Sequence, residues 1–351
     1  MTAPGALGFG IVGAGMIAST HARAIASLPQ ARLRAVADVD LARAERLAGE
    51  FGAVAHGDVD ALLERSEVDV VCVCVPSGLH ADIGARAAEA GKHVVVEKPI
   101  DVSLAAADRL IARCRERGVT LSVISQHRFD TGARRLREAL DAGRLGRVLT
   151  GDAFVRWYRS PAYYRSAGWR ATWDLDGGGA LMNQGIHSVD LLLWLLGPVD
   201  SVTAHTATVA HDIAVEDVAV ALLRFASGAF GVIEATTAAF PGFAERIEVS
   251  GTRGGVVLES GAVAVWEAGD DGAHVGPYGK AVRLGSASPA PAATAVDGHA
   301  AQLRDVIDAI ESRREPAVTG DDGRRALELV LAIYESARSG RSIAPLSART
   351  R

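Results

Sequence analysis

The stretch GFGIVGAGMIAST, residues 8–20, sets the frame for the whole chain. Leu7–Val12 is an apolar run of strand length, and Met16–Ser27 carries its apolar residues at helical spacing. Gly13, Gly15 and Ala18 stand at the GxGxxG/A spacing between them. In such a turn the first glycine permits the tight reversal and the second lets a pyrophosphate approach the backbone. The third position must be small so that the helix can pack close to the sheet. Unpaired amides and the positive end of the helix dipole then meet the phosphates. Taken alone, the spacing also suits an ordinary glycine-rich turn. Its context adds Asp38, which ends the next apolar run about 20 residues on, where a carboxylate accepts from a ribose 2′-hydroxyl. A solvated strand-end aspartate is the simpler alternative for that residue. Val39 and Asp40 follow it with no arginine, so a 2′-phosphate would meet repulsion. NAD is expected as cofactor, in preference to NADP.

The same rhythm continues outward. Strands are expected at Arg32–Ala37, near Val54, at Val68–Val75, His93–Glu97 and Thr120–Ser125, alternating with helices Leu41–Phe51, Val59–Arg65, His80–Ala90 and Ser103–Arg117. Val68–Val75 is a continuous β-branched run of the kind buried on both faces of a parallel sheet. The expectation is an α/β N-terminal Rossmann domain with a parallel, doubly wound sheet over residues 1–125. After residue 125 the pattern becomes strand-rich. Runs at Val148–Arg156, Val199–Thr208, Asp217–Phe225, Phe230–Thr237, Arg246–Ser250, Gly255–Glu259 and Ala262–Glu267 alternate with period two. They predict an α+β C-terminal domain over 126–340 with a large, mostly antiparallel open sheet. A loop is expected at Ser286–Val296, and closing helices at His299–Arg313 and Gly323–Ser339 are expected to pack back towards the junction.

With 351 residues, 49% apolar and 23% charged, the chain suits two globular domains rather than a disordered polymer. The net charge of −5 gives no electrostatic reason for nucleic acid or an anionic membrane as partner. Leu7–Ala18 is apolar enough to resemble a leader segment, but its glycines and the lack of a basic flank favour a strand and turn. Cys72, Cys74 and Cys114 are an odd, sparse set that suits a reducing cytoplasm, and no histidine or cysteine spacing predicts a metal site.

Three further motifs narrow the reading. CVPSGLH places Val75, Pro76 and His80 after the buried strand. VVVEKPI places Glu97, Lys98 and Pro99 at a strand end. WDLDGGGALMNQGIHSVDLLLWLLG, residues 173–197, puts Asn183 and His187 four apart, one turn of a helix ending at Gly197. In this order after a glycine turn, these motifs resemble the Gfo/Idh/MocA family of oxidoreductases, over residues 7 to 340. The family includes inositol dehydrogenases and nucleotide-sugar 3-dehydrogenases. The resemblance implies an NAD-dependent dehydrogenase acting on a secondary alcohol of a sugar, sugar acid or cyclitol. It makes His187 the general acid/base, and Lys98 the group that reaches the hydroxyl near the nicotinamide. A histidine suits the proton transfer that accompanies hydride removal. The family also contains NAD-dependent glycosidases with a transient redox cycle and non-catalytic NAD-binding sensors, which stay open as alternatives.

Asn183 departs from the aspartate typical of the inositol enzymes. It can orient a substrate but cannot ionise, which puts an inositol substrate in doubt. The expected cofactor residues are Gly13, Ala14, Gly15, Met16, Ile17, Asp38, Val75, Pro76, His80, Glu97, Lys98, Gln126, Trp169 and Arg170. Substrate contacts are expected from Lys98, Arg128, Tyr158, Tyr164, Arg165, Trp173, Asn183 and His187, with His127 in the same neighbourhood. A homodimer or homotetramer through the antiparallel sheet is expected as in relatives.

Overall fold

The computed structural model describes residues 5–268 and 295–346. They divide into two compact units. The first takes 5–126, 174–177 and 295–327, and the second takes 127–173, 178–268 and 328–346.

The first unit begins with β1 (Leu7–Val12), α1 (Met16–Ala26), β2 (Ala31–Ala37), α2 (Leu41–Phe51), β3 (Val54–His56), α3 (Val59–Leu63) and β4 (Val70–Val73). It continues through α4 (His80–Glu89), β5 (His93–Val96), α5 (Leu104–Arg117) and β6 (Leu121–Val123). All six strands are parallel, in the order β3-β2-β1-β4-β5-β6, the doubly wound arrangement expected. β4 is buried along its whole length, as its β-branched composition requires. Helix starts are chemically marked: the side chains of Asp40, Asp58 and Ser103 accept from the amides of Arg43, Ala61 and Ala106.

The second unit contains α6 (Thr131–Asp141), β7 (Val148–Arg156), α7 (Pro161–Arg165), α8 (Ile186–Leu196), β8 (Val199–Ala207), β9 (Val218–Phe225) and β10 (Phe230–Thr236). β11 (Arg246–Gly251), β12 (Gly254–Glu259) and β13 (Ala262–Ala268) follow. The seven strands lie in the order β13-β12-β11-β7-β10-β9-β8, antiparallel except for the parallel pair β7 and β10. Along β9 burial alternates residue by residue, so one face of the sheet is covered and the other is open. α8 packs on β7 from the covered side.

Two long helices close the chain, α9 (Ala295–Ser312) and α10 (Gly320–Ser339). The loop expected at 286–296 lies outside the described residues up to 294, and Ala295 and Val296 are instead the first residues of α9. α9 packs on α1 in the first unit, where Leu303, Val306 and Ile307 are fully buried with Phe9, Ile11 and Ile25. Each such side chain contributes roughly 1.5–3 kcal/mol when withdrawn from water.

Candidate active site

Most of the expected cofactor residues of the first unit follow the carboxyl end of a strand. Gly13–Gly15 follow β1, Asp38 follows β2, Val75 and Pro76 follow β4, Glu97 and Lys98 follow β5, and Gln126 follows β6. Strand order reverses between β1 and β4, where an open α/β sheet leaves its crevice. Gly13 has a φ of +94°, and a Cβ there would stand 2.5 Å from the carbonyl oxygen of Cys74. Both facts demand glycine. At Gly15 a Cβ would meet nothing within 4 Å. Among the described residues no side chain caps α1 there, and its first turn holds no acidic group. Ala18 is fully buried, as close helix packing requires.

Asp38 does more than wait for a ribose. Its Oδ2 accepts the Ala14 N–H at 2.7 Å and its Oδ1 accepts the Asp40 N–H at 2.8 Å. The carboxylate therefore ties the glycine turn to the end of β2, and each oxygen keeps a lone pair for a hydroxyl. Met16 and Val39 are 78% and 97% exposed. The His80 ring is buried, with Nδ1 2.6 Å from the Pro99 carbonyl and Nε2 2.9 Å from that of Val75. Burial pushes its pKa down, against the raising effect of those carbonyls. It braces the backbone after β4 against that after β5.

In the second unit the helix expected to carry both Asn183 and His187 opens with an irregular turn. Ala180–Gly185 forms a wide, π-helical turn and the regular helix α8 starts at Ile186. Asn183 lies in the wide turn and His187 in the first turn of α8, so the two do not share a regular helical face. Glu216 caps the start of this turn. It is buried, and its carboxylate accepts the N–H groups of Gly179 (2.9 Å) and Leu181 (2.8 Å) and the Tyr334 hydroxyl (2.9 Å). Tyr334 in turn accepts the Met182 N–H. Amides at the start of the turn thus point to side chains. Burial pushes the Glu216 pKa up, only partly opposed by these hydrogen bonds.

Asn183 is oriented by its neighbour, its Oδ1 accepting from Gln184 Nε2 at 2.7 Å. Gln184 is held by Arg159 and by the Tyr163 hydroxyl, which also accepts from Arg170. His187 is half-buried, and the His127 ring stands edge-on to it at 5.3 Å. His127 hydrogen-bonds Asp130 through Nδ1 at 2.8 Å. Burial opposes charge on His127, but Asp130, with Glu245 and Asp190, outweighs it and raises the pKa.

Arg128 is 7% exposed and forms a two-pronged pair with Asp190, at 2.8 and 2.6 Å. Its guanidinium fork is held by a buried carboxylate. Tyr164 donates or accepts at Thr237 Oγ1, 2.6 Å away, and burial pushes its pKa up. Arg165 is exposed, Tyr158 stands edge-on to Phe240, and Arg170 lies over the rings of Tyr163 and Trp169. Trp173 is half exposed and donates Nε1–H to the Ala214 carbonyl.

Comparison with known proteins follows this geometry closely. Residues 7–125 match the oxidoreductase family with an NAD-binding Rossmann fold, and residues 133–257 match the GFO/IDH/MocA C-terminal domain. Myo-inositol 2-dehydrogenase of Thermotoga maritima is 31% identical over 354 residues, covering 95% of this chain and 97% of that protein. The chain belongs to the Gfo/Idh/MocA oxidoreductase family. Inositol 2-dehydrogenase of Rhizobium meliloti shares 33% identity over 343 residues, covering 95% and 98% of the two chains. WlbA dehydrogenase of Bordetella pertussis, solved with NADH and UDP-GlcNAcA, superposes with a TM-score of 0.85 at 34% identity. That match covers 96% of this chain and 98% of WlbA.

The glycine cradle, the uncapped α1 and Asp38 fit the NAD expected of a Gfo/Idh/MocA oxidoreductase. Sequence reasoning did not single out Glu216, Tyr334, Gln184 or Asp190. Their roles come from pairings between distant segments, and only the adjacent acids Glu216–Asp217 at the start of a strand gave a local signal. No helix among the described residues is long and apolar enough to cross a membrane.

Proposed function

We propose that this oxidoreductase moves a hydride between a secondary alcohol of a sugar, sugar acid or cyclitol and NAD. In this reading His187 exchanges the hydroxyl proton and Lys98 orients the hydroxyl oxygen. The observation that carries it is the setting of His187: a half-buried imidazole at the junction of a wide turn and a regular helix, with His127 and Asp130 packed beside it. Oxidising an alcohol takes a hydride from carbon and a proton from oxygen. Bound NAD would supply the hydride acceptor; the chain supplies the base and the positioning. Lys98 leaves the end of β5 at the crevice edge, and Asn183, oriented by Gln184, offers a neutral hydrogen-bonding group. The named activities of the similar inositol dehydrogenases and the nucleotide-sugar ligand of WlbA support a polyhydroxylated substrate. Measuring NADH and free sugar together tests the reading: NADH with a keto product supports it, whereas free sugar without NADH indicates a glycosidase.

NAD binding would use the glycine turn for the pyrophosphate, Asp38 for the ribose, and the exposed apolar surface of Met16 and Val39 for a flat ring. Asp38→Ala is expected to weaken NAD by about tenfold or more, since a hydrogen bond to a charged group contributes roughly 1.5–3 kcal/mol. The NAD-to-NADP affinity ratio should fall with it. A fluorescence titration giving an unchanged ratio would contradict the role of Asp38.

The open face of the second sheet supports a homodimer or homotetramer. Leu222 and Phe230 are 59% and 62% exposed on β9 and β10, with Val220 beside them, and Leu222 pairs with Val232 across the strands. Apolar side chains clustered on one face mark an association surface. Leu222→Glu is expected to shift light scattering towards the monomer, and an unchanged mass would argue against this face. The buried thiols Cys72, Cys74 and Cys114, the last pushed up to about 12 by burial, are consistent with a cytoplasmic protein.

A further inference from the structure

Three titratable side chains from distant parts of the first unit meet out of water: His21 on α1, Glu97 at the end of β5, and His299 on α9. All are at most 5% exposed. The Nε2 atoms of His21 and His299 lie 2.8 and 3.3 Å from the same oxygen, Oε1 of Glu97, and the two rings meet edge-on at 5.1 Å. The other oxygen, Oε2, accepts the backbone N–H of Lys98 at 3.2 Å. Burial opposes the carboxylate's charge, but the two imidazoles outweigh it and hold Glu97 well below the usual carboxylate range, while burial pushes His21 down. The distances are those of N–H donors on a carboxylate.

A buried charge held this way is a poor device for stability alone, because packed apolar residues serve stability as well or better. Its placement suggests another use. We propose that the His21–Glu97–His299 clasp is a positioning device for Lys98, fixing the backbone from which the lysine side chain leaves by holding its N–H on Oε2 of Glu97. The inference rests on the reading of Lys98 as the group that orients the substrate hydroxyl. Glu97 is then a positioning residue that acts through its neighbour. α9 reinforces the same sheet edge, since Gln302 donates to the carbonyl of Val123, the last residue of β6, and accepts the Ser125 N–H just after it.

The test is a double-mutant cycle on the full chain, reading kcat, KM for a substrate that gives turnover, NAD affinity and Tm. Glu97→Gln keeps the size but not the charge. It should lower kcat by about 10- to 100-fold, the scale of a small misplacement of a reacting group. In a Lys98→Ala background the same change should cost less than about twofold, because the clasp acts through the lysine. An equal loss in both backgrounds would overturn the clasp alone, leaving the role of Lys98 standing. Full activity in Lys98→Ala itself would overturn both. If Glu97→Gln does not fold, His299→Gln, which removes the longer contact, should show the same non-additive pattern with a smaller loss; unchanged kcat there would refute the proposal. Stoichiometric zinc binding by the wild type, lost in His299→Gln, would identify a metal cage instead and equally refute it.

Discussion

His187→Ala is expected to lower kcat by about 10²–10⁴-fold, the usual contribution of a positioned general acid/base. NAD affinity should stay within a few-fold, because the glycine turn and Asp38 lie in the first unit and His187 in the second. The imidazole is half-buried beside His127, which is itself anchored to Asp130. Loss of kcat and kcat/KM to the same extent would identify an interaction made in the transition state. Steady-state kinetics with a fluorescence titration of NAD checks the split. A variant that keeps kcat, or loses NAD binding, would contradict the assignment.

The second large effect is on stability. Arg128→Ala leaves Asp190, 4% exposed, without its two-pronged partner. Breaking a buried pair by removing one member costs about 3–5 kcal/mol, because the remaining charge stays desolvated. At the scale of a domain this corresponds to a fall of about 10 °C or more in Tm. The double variant Arg128→Ala/Asp190→Ala should recover a good part of that loss, since no charge is then stranded. Thermal melts of the two variants decide it. A single variant as stable as the parent would show that Arg128 is not held as the geometry indicates.

These two residues also show what was legible in advance. The glycine turn, the parallel sheet and the open antiparallel sheet are written in local spacing: glycines at fixed offsets, β-branched runs, and period-two alternation such as that of β9. Each reflects a rule acting over a few residues. The fate of Arg128 depends on Asp190, 62 positions away, and the clasp on Glu97 depends on His299, 202 positions away. Nothing in the neighbourhood of either residue announces such a partner. The wide turn at Ala180–Gly185 left no mark in the local spacing, and the groups that hold its first amides, Glu216 and Tyr334, come from other parts of the chain. Four-residue spacing between Asn183 and His187 reads as a regular helix. His127 lay within view of the sequence, but its edge-on contact with His187 needed the packing of α8 to become apparent.

The most direct test of the central claim is turnover of a panel of sugars, sugar acids, cyclitols and nucleotide sugars with NAD, read by NADH absorbance. At least one member is expected to give NADH in step with its own oxidised product, and Lys98→Ala and His187→Ala to lose that signal while still binding NAD. A panel that yields no NADH from any member, with NAD bound to the protein throughout, would contradict that claim.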